Sequence, residues 1–387
     1  MNKTLGVEEL SEVGFRIDLF WPGFVLLVLK FLLESIPIIG VPNAFLTVLL
    51  GLGCAFLALK VLAVCNKYSR PSFVLTALFC ATLAYVLSGE TVLLTTLLVI
   101  FASVEVSSQD VIRLWCWMIF PVLTLMLILF LIELFPGIDL ASGTFNAIGG
   151  FRAVRSSLWF GHPNTCAGYF VALALAYATR IDVSRLFKVT VFVISFFVVF
   201  FITGSRTSTM SMLAFLLFYL FSLYGNARSA QKYSFRFVWM TPIIIAVITL
   251  FISSYWFSEM YSWQFDNLLS GRPSLWWAQW SQVGLTFFGQ HSFVGPLVIK
   301  SLAMNIVTVD GAYASLLFNL GLAGAFCFLL LFKHWASDTL IARSNTSAAA
   351  LAAVAVAGFT EWAALNCCVF VVLLLLGDSL HFKERGQ

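Results

Sequence analysis

Long apolar stretches separated by short polar segments recur from one end of the 387-residue chain to the other. Most have the roughly 17 to 22 residues with which a helix crosses a hydrocarbon core of about 30 Å. Because lipid offers the backbone no hydrogen-bond partner, we expect each stretch to be an α-helix. The pattern predicts twelve helices, at residues 19–37, 43–64, 72–88, 90–105, 113–135, 163–180, 187–204, 206–224, 237–257, 310–332, 347–360 and 362–380.

The last two predicted helices are the least regular part of this pattern. Their sequence, ALAAVAVAGFTEWAALNCCVFVVLLLL, allows two interpretations. It can form one long tilted helix, or two short helices broken between Gly358 and Trp362.

Composition supports a membrane protein. Apolar residues make up 61% of the chain and charged residues 10%, against about 45 to 50% apolar residues in soluble domains. The mean hydropathy is +0.97. We therefore predict an all-α, polytopic transmembrane bundle of about twelve helices. It forms a single integral membrane domain over residues 1–387. We predict no nucleic-acid partner.

Two further features bear on the compartment. The polar N-terminal segment MNKTLGVEELSEVGFRIDLF lacks the basic, apolar and small-residue order of a cleaved signal peptide, so we expect the first helix to be retained. The eight cysteines lie within or beside apolar runs, without CxxC spacing or a histidine cluster. We interpret them as reduced packing residues, and we predict no metal site.

Basic residues predict the orientation of the bundle. With both termini in the cytoplasm, fifteen of the 22 Lys and Arg residues fall on the cytoplasmic side, as the positive-inside rule requires. Two outer loops are long, at about residues 136–162 and 258–309, and long loops on a compact bundle are usually functional. The basic residues left on the outer side are Arg152, Arg155, Arg206, Arg272 and Lys300.

The four outward arginines run against this bias and indicate an anionic ligand. Arginine presents a planar, permanently charged fork that suits two phosphate oxygens at once. Arg152 and Arg155 are three residues apart and would point the same way on a helical turn. Arg206 lies in TGSRTST, where one helix ends at Gly204 and the next begins with free backbone amides that favour anions. We predict a phosphate-bearing lipid, bound on the outer side.

The stretch FGHPNTCAGYF places polar residues at the start of the sixth predicted helix. Pro163 suits a first helical turn, and short polar residues beside it can cap free amides. His162 and Asn164 therefore lie at the outer mouth of this helix, where a capping role and a role in a ligand site both remain open. Of the four histidines only His162 and His291 are predicted to face outward, which makes them candidate bases.

The second long loop and the segment after it add further candidates. Arg272 opens SGRPSLWWAQW, and the tryptophans that follow, Trp276 among them, suit either an interfacial belt or stacking on sugar rings. Asp310 in VDGAYASLLFNLG is a good helix N-cap, so a purely structural role is also open.

Two carboxylates lie within apolar segments. Glu361 would cost roughly 2.5 to 3.5 kcal/mol at the membrane centre unless it is paired or wet, and an outward arginine is its expected partner. Lys30 and Glu34, spaced i,i+4, are expected to satisfy each other and to be structural.

Four of these motifs resemble, in order, the O-antigen ligase and polymerase superfamily. Its members carry Gly-His-Pro-Asn before a helix, Gly-Ser-Arg-Ser/Thr opening another, Gly-Arg-x-x-x-Trp in a long outer loop, and Asp-x-x-Tyr-x-x-x-Leu-x-x-x-Gly opening a late helix. Here they are FRAVRSSLWFGHPN, TGSRTS, SGRPSLW and DGAYASLLFNLG, over about residues 150–325. Gly311 stands where an asparagine commonly follows the aspartate, and the helices before residue 140 match only in number and hydropathy.

The resemblance implies a GT-C-like glycosyltransferase that needs no metal and no cofactor. Its donor would be undecaprenyl-diphosphate-linked oligosaccharide, at the outer surface of the bacterial cytoplasmic membrane. A polymerase moves the growing chain onto the next lipid-linked repeat unit, and a ligase moves it onto a lipid A core sugar or another acceptor. The short length and the GHPN form favour a polymerase, whereas the outward histidine in the second loop is typical of ligases. Membrane lipid, a flippase and chain-length regulators are the further partners implied.

With this resemblance, each candidate residue has an expected role. The outward arginines would bind diphosphate, with Arg206 and Arg272 holding it and Arg152 or Arg155 completing the clamp or binding a second carrier. An outward base would take the acceptor's proton, and the candidates in order are His291, then His162 or Asp310. The expected substrate contacts are Asn164, Trp276, Tyr313 and Glu361.

Two other classes of function compete with this interpretation. A lipid or solute transporter also suits twelve helices with a broken eleventh and an intramembrane glutamate, but it should carry repeats and polar residues at the midplane. A membrane scaffold for glycan assembly would leave the outward arginines unexplained.

Overall fold

The structure is a computed structural model that describes residues 18–68, 70–135, 144–145, 155–224, 227–254, 269, 271–292, 294–299, 302–306, 310–337 and 344–381. The two long loops predicted at 136–162 and 258–309 therefore lie partly outside the described residues. The α-helices are α1 (Phe20–Ser35), α2 (Asn43–Ala63), α3 (Pro71–Ser88), α4 (Val92–Ala102), α5 (Ser108–Glu133), α6 (Pro163–Thr179), α7 (Arg185–Phe197), α8 (Arg206–Tyr224), α9 (Ala227–Ser253), α10 (Arg272–Gln282), α11 (Ala312–Phe318), α12 (Gly321–Ser337) and α13 (Asn345–Ala357).

Shorter elements complete the described part of the chain. A π-helical turn, Val198–Ile202, continues α7, and 3₁₀ segments occur at Pro37–Ile39, Cys65–Lys67, Trp362–Leu365 and Val371–His381. Two short antiparallel pairs interrupt the otherwise helical fold. They are β1 (Thr144–Phe145) with β2 (Arg155–Ser156), and β3 (Gly295–Ile299) with β4 (Leu302–Ile306).

Within the described residues, four helices are long and apolar enough to cross a membrane. They are Asn43–Ala63, Pro71–Ser88, Ser108–Glu133 and Arg185–Ile202, and shorter apolar helices accompany them. Large apolar side chains such as Leu62, Phe79 and Leu217 are exposed on the outside of the bundle. A broad exposed apolar surface of this kind is unusual for a water-soluble monomer, so the fold is compatible with a membrane protein.

Small residues allow the helices to approach closely. A Cβ added to Gly23 of α1 would lie 2.8 Å from Leu57 Cγ of α2, and one added to Gly53 would lie 2.8 Å from Leu27. The alanine-rich α13 packs against α8, where the Ser211 hydroxyl donates to the Ala353 carbonyl at 2.7 Å. Such small-residue contacts with added hydrogen bonds are typical of helices packed in lipid.

The first eight predicted helices correspond to α1 to α8, but the prediction of one helix over 310–332 is wrong. The chain leaves α11 after Phe318 and starts α12 at Gly321, because another loop inserts there. The Asn319 carbonyl accepts the Gln290 N–H at 2.9 Å, and the Thr286 and Phe287 carbonyls accept N–H groups from the first turn of α12 at 3.0 and 2.9 Å. The Thr286 and Phe287 carbonyls satisfy amides that a helix start leaves unpaired.

The last apolar stretch is an α-helix only in its first part. The α13 helix ends at Ala357, and the chain continues through a turn and 3₁₀ segments, so no α-helix forms over 362–380. Neighbouring side chains satisfy the irregular backbone: Thr96 Oγ1 donates to the Leu365 carbonyl at 2.7 Å, and Trp115 Nε1 donates to the Cys368 carbonyl at 2.7 Å. Non-helical backbone inside a membrane bundle is tolerated only when it is buried and paired in this way.

Two structural expectations are confirmed at the level of side chains. Lys30 Nζ lies 2.6 Å from Glu34 Oε2 within α1. All eight cysteines are free thiols, and five of them are buried.

Candidate functional site

An ion pair joins two of the sequence motifs at one end of the bundle. Arg272 Nη2, at the start of α10, lies 2.7 Å from Asp310 Oδ2, just before α11. The arginine side chain is 6% exposed, whereas the aspartate side chain is 40% exposed. The pair therefore has a buried cationic half and an accessible anionic half.

Local backbone geometry holds both partners in place. Gly271 has a φ of +78°, a left-handed conformation that glycine adopts without strain, and it turns the chain into α10. One turn later, Trp276 is fully buried and its Nε1–H donates to the Asp310 carbonyl at 2.6 Å. The Asp310 carboxylate also accepts the Gly311 N–H at 3.1 Å. Helix α10, which lies within the predicted loop 258–309, thus positions the aspartate.

The turn after α13 packs against Gly311 and Ala312, which directly follow the aspartate. The Gly358 carbonyl accepts the Ala312 N–H at 2.8 Å, so the free N-terminus of α11 is capped by this turn. A Cβ on Gly311 would lie 2.9 Å from the Phe359 carbonyl and 3.2 Å from the Trp276 ring. With its φ of +102°, position 311 has room only for glycine. A larger residue such as asparagine would therefore collide with the turn after α13 and with Trp276 at this position.

A hydroxyl pair extends the site to α8. Thr360 Oγ1 donates to Thr207 Oγ1, so the residue after Arg206 contacts the turn that caps α11. As predicted, the seventh helix closes before Gly204 and the eighth begins at Arg206, with Ser205 Oγ donating to Ser208 Oγ at 3.0 Å. Arg206 is exposed at this helix start.

His162 belongs to the same end of the bundle. It is the N-cap of α6, its Nδ1 accepts the Asn164 N–H at 3.1 Å, and the ring is close enough to Asp310 to act on that carboxyl group electrostatically. The capping interpretation is thereby confirmed for His162. Because Nδ1 serves as an acceptor, a neutral ring carries its proton on Nε2, which is therefore a hydrogen-bond donor.

The surrounding protein alters the acidity of Asp310 although its side chain is partly exposed. Desolvation raises its pKa above the ordinary aspartate value, while the guanidinium of Arg272, the nearby His162 and the Gly311 N–H act in the opposite direction. A carboxyl group with a raised pKa is a stronger base than an exposed one once it is ionised. Raised carboxyl pKa values are frequent at functional sites, although ion pairs also perturb them.

The structure does not bring every candidate to this site. His291 is exposed and lies against the α3–α4 turn, where its Cε1 would be 3.3 Å from a Cβ on Gly89. Its electrostatic partner is Glu90, whose pKa is raised by burial and by Glu34 and lowered by His291 and Lys30. Electrostatic interaction therefore links His162 to Asp310, and His291 to Glu90.

The remaining candidates are placed as follows. Arg152 lies outside the described residues, and Arg155 lies in β2. Asn164 is half-buried in the first turn of α6, and Tyr313 is buried within α11. Glu361 is 7% exposed and directly follows the turn that contacts Thr207.

Sequence reasoning named the motif residues of the site but did not predict the contacts that join them to the end of α13. Gly311 and Gly358 were indicated only as a departure from a motif and as one limit of a break, and nothing in the sequence indicated Thr360, which donates to Thr207. Among the described residues no group of three or more His, Cys, Asp or Glu side chains is arranged to hold a metal ion.

Comparisons with protein-family models, with characterised proteins and with solved structures find no match to this chain.

Proposed function

We propose that this protein is a bacterial membrane glycosyltransferase that polymerises undecaprenyl-diphosphate-linked oligosaccharide on the outer side of the cytoplasmic membrane, without a metal or cofactor. The observation that carries the proposal is the Arg272–Asp310 pair, which joins two motifs 38 residues apart at a site that also holds His162 and the start of α8. The polymerase resemblance of those motifs supplies the chemistry.

In this proposal Asp310 is the base. The acceptor hydroxyl transfers its proton to the Asp310 carboxylate, and its oxygen forms the new bond to the anomeric carbon. The bond between that carbon and the diphosphate oxygen breaks, and its electron pair leaves with the diphosphate. His162 serves as a hydrogen-bond donor from Nε2, because Nδ1 is engaged by Asn164.

The arginines take different parts in this step. Arg206, exposed at the start of α8, binds the diphosphate together with the helix N-terminus. Arg272 is balanced by Asp310 in the resting site, and its Nε–H has no acceptor among the described residues. When Asp310 takes the proton its charge disappears, so the charge of Arg272 becomes available as the leaving group turns negative. Interactions that strengthen only in the transition state are those that accelerate a reaction.

The test uses purified protein and a lipid-linked repeat unit as sole substrate. A ladder of products supports polymerisation, and product that requires a separate core acceptor indicates ligation instead. Asp310→Asn keeps the shape of the side chain but removes the base, so we expect a loss on the order of 10² to 10⁴-fold in rate. Wild-type ladders from Asp310→Asn would refute the assignment of the base, and no transfer to either acceptor would refute the function.

A transporter is the second candidate, because the interrupted segment after Ala357 is the kind of broken span that transporters use near their binding sites. A lipid-flipping assay in proteoliposomes distinguishes the two. Movement of the intact lipid-linked unit across the bilayer, without chain growth, would favour transport.

A further inference from the structure

Two cysteines from distant parts of the chain meet between α3 and α12. Cys80 is half-buried in α3, and Cys327, much later in the chain, is buried in α12. Their thiols are hydrogen-bond partners of each other. A thiol is a weak donor and a weak acceptor, and lipid tails offer it neither kind of partner, so the two groups satisfy each other at this contact.

Small neighbouring residues bring the two helices close together. Helix α3 packs directly against α12. Ala77 lies about one turn before Cys80, Ala323 lies about one turn before Cys327, and both alanines are buried. Small side chains let helix axes approach more closely than the usual distance of about 8 to 10 Å. A disulfide needs Cα atoms about 4.4 to 6.8 Å apart, so a close interface of this kind favours one.

The two thiols can be reached from the lipid. Phe79 and Phe326, the residues directly before the two cysteines, are exposed on the outside of the bundle. Both thiols also line a cavity of about 1040 Å³ between α3, α9 and α12. A small apolar reagent dissolved in the bilayer therefore has room to approach the sulfur atoms.

A second pair of cysteines provides the comparison. Cys54 on α2 and Cys368 after α13 are close enough to act on each other electrostatically, but no hydrogen bond joins their thiols among the contacts of the described residues. The Cys368 carbonyl accepts the Trp115 Nε1–H, and its N–H donates to the Asn366 side chain. The backbone at Cys368 is thus held in place, so this pair should be slower to join.

We propose that Cys80 and Cys327 form a modification site, at which a lipid-soluble disulfide oxidises the two thiols to a disulfide that links α3 to α12. The inference is independent of the proposed function, since it uses no residue of the Arg272–Asp310 site. The first turn of α12 holds the loop at Thr286 and Phe287. The cross-link would therefore make the packing of this part of the bundle respond to oxidants.

The chemistry consists of two thiol–disulfide exchanges. In the first, the half-buried Cys80 loses its proton and its sulfur attacks one sulfur of the reagent. A mixed disulfide forms, the S–S bond of the reagent breaks, and the other half leaves as a thiolate that takes up the proton. In the second, Cys327 loses its proton and attacks the Cys80 sulfur, and the bond from Cys80 to the reagent breaks. The two cysteines are oxidised, and the reagent is reduced to two thiols.

The test treats the full-length protein in nanodiscs with dithiodipyridine, a small lipid-soluble disulfide. The remaining thiols are then blocked, and the linked peptides are quantified by mass spectrometry. We expect the Cys80–Cys327 peptide to form at least about tenfold faster than the Cys54–Cys368 peptide. Released thiopyridone gives a second readout, because a completed disulfide releases two equivalents and a persistent mixed disulfide releases one.

Two variants separate the steps. Cys327→Ala should stop the reaction at the mixed disulfide on Cys80, whereas Cys54→Ala, the matched control, should leave the cross-link unchanged. Because Cys327 is buried, the melting temperature of each variant is measured before treatment. The peptide yields from the wild-type protein decide the proposal even where a variant does not fold.

Four results would overturn the proposal. They are a mixed disulfide that persists on Cys80 in the wild-type protein, equal yields from the two cysteine pairs, no reaction of the folded protein, and a cross-link that forms only after the protein is unfolded in detergent. Glycan transfer plays no part in these measurements. A failure of the proposed function would therefore leave their result unchanged.

Discussion

The Arg272–Asp310 pair is expected to contribute strongly and unevenly to stability. Removing one partner of a buried ion pair typically costs about 3 to 5 kcal/mol, because the other charge stays buried alone. Asp310→Asn leaves the buried Arg272 guanidinium without its carboxylate, and since the aspartate side chain is 40% exposed we expect the low end of that range, about 3 kcal/mol.

Arg272→Gln should cost less than Asp310→Asn. The carboxylate left behind is 40% exposed and therefore stays hydrated. We expect about 1 to 2 kcal/mol, the range for a polar group that loses a hydrogen-bond partner. In the double variant both charges are gone, so its cost should fall below the sum of the single costs by about 2 kcal/mol or more.

The measurement is a double-mutant cycle of unfolding free energies in mixed micelles, read by circular dichroism. Asp110→Asn is the matched control, because Asp110 pairs with Arg113 at 3.5 Å and both side chains are about half exposed. Such a surface pair should contribute less than about 1 kcal/mol. Single costs for Arg272 and Asp310 that add within about 0.5 kcal/mol would show that the two residues are not coupled, and the geometry argued for the site would be wrong.

Three other outcomes follow from individual residues. Arg206→Lys keeps a charge but loses the planar fork, so chain growth should fall while thermal stability stays at the wild-type value; unchanged ladders would contradict its role at the diphosphate. Asp182 has its pKa lowered to about 2, chiefly by the hydrogen bond from Arg180, so it stabilises the fold fully above its unfolded pKa and loses that effect as the pH falls toward 2. Asp182→Asn should therefore cost about 1 kcal/mol at pH 5, after allowance for exposure, and the difference in melting temperature from wild type should shrink by pH 3; a constant difference would contradict this. Gly289→Ala should destabilise by more than about 2 kcal/mol, since its φ is +95° and the added Cβ would lie 2.2 Å from a carbonyl oxygen, whereas Gly51→Ala, with open space around it, should be neutral or stabilising in an unfolding titration; equal effects would refute the packing argument.

Local chemistry made the helix starts predictable. Pro163 and its polar neighbours located the start of α6, and Gly204 with the hydroxyl residues around Arg206 located the start of α8, because capping depends on adjacent residues only. The lengths of the apolar stretches likewise located α1 to α8. These features need no knowledge of the tertiary structure.

Contacts between distant segments were not predictable in the same way. The break between α11 and α12 arises from a loop around Gly289 that inserts its carbonyls, and the hydropathy of 310–332 carries no trace of it. The placement of His291 against the α3–α4 turn is another example, since His291 lies in the same long loop that ends just before Asp310. Tertiary packing overrides local propensity at such positions.

The pairing of Arg272 changes what an outward arginine means. Sequence alone predicts four arginines on the outer side, as if each were available to a phosphate. In the structure, Asp310 neutralises one of them, Arg272. Because the guanidinium is buried, the attraction between the two charges is strong, since charges attract more in a medium of low dielectric constant. A group whose charge is cancelled at rest adds little to the binding of the ground state, yet it adds its full charge once the carboxylate is protonated. For this reason Arg206 should govern substrate affinity and Arg272 the rate of the chemical step, a division that follows from the ion pair and from nothing in the sequence motif.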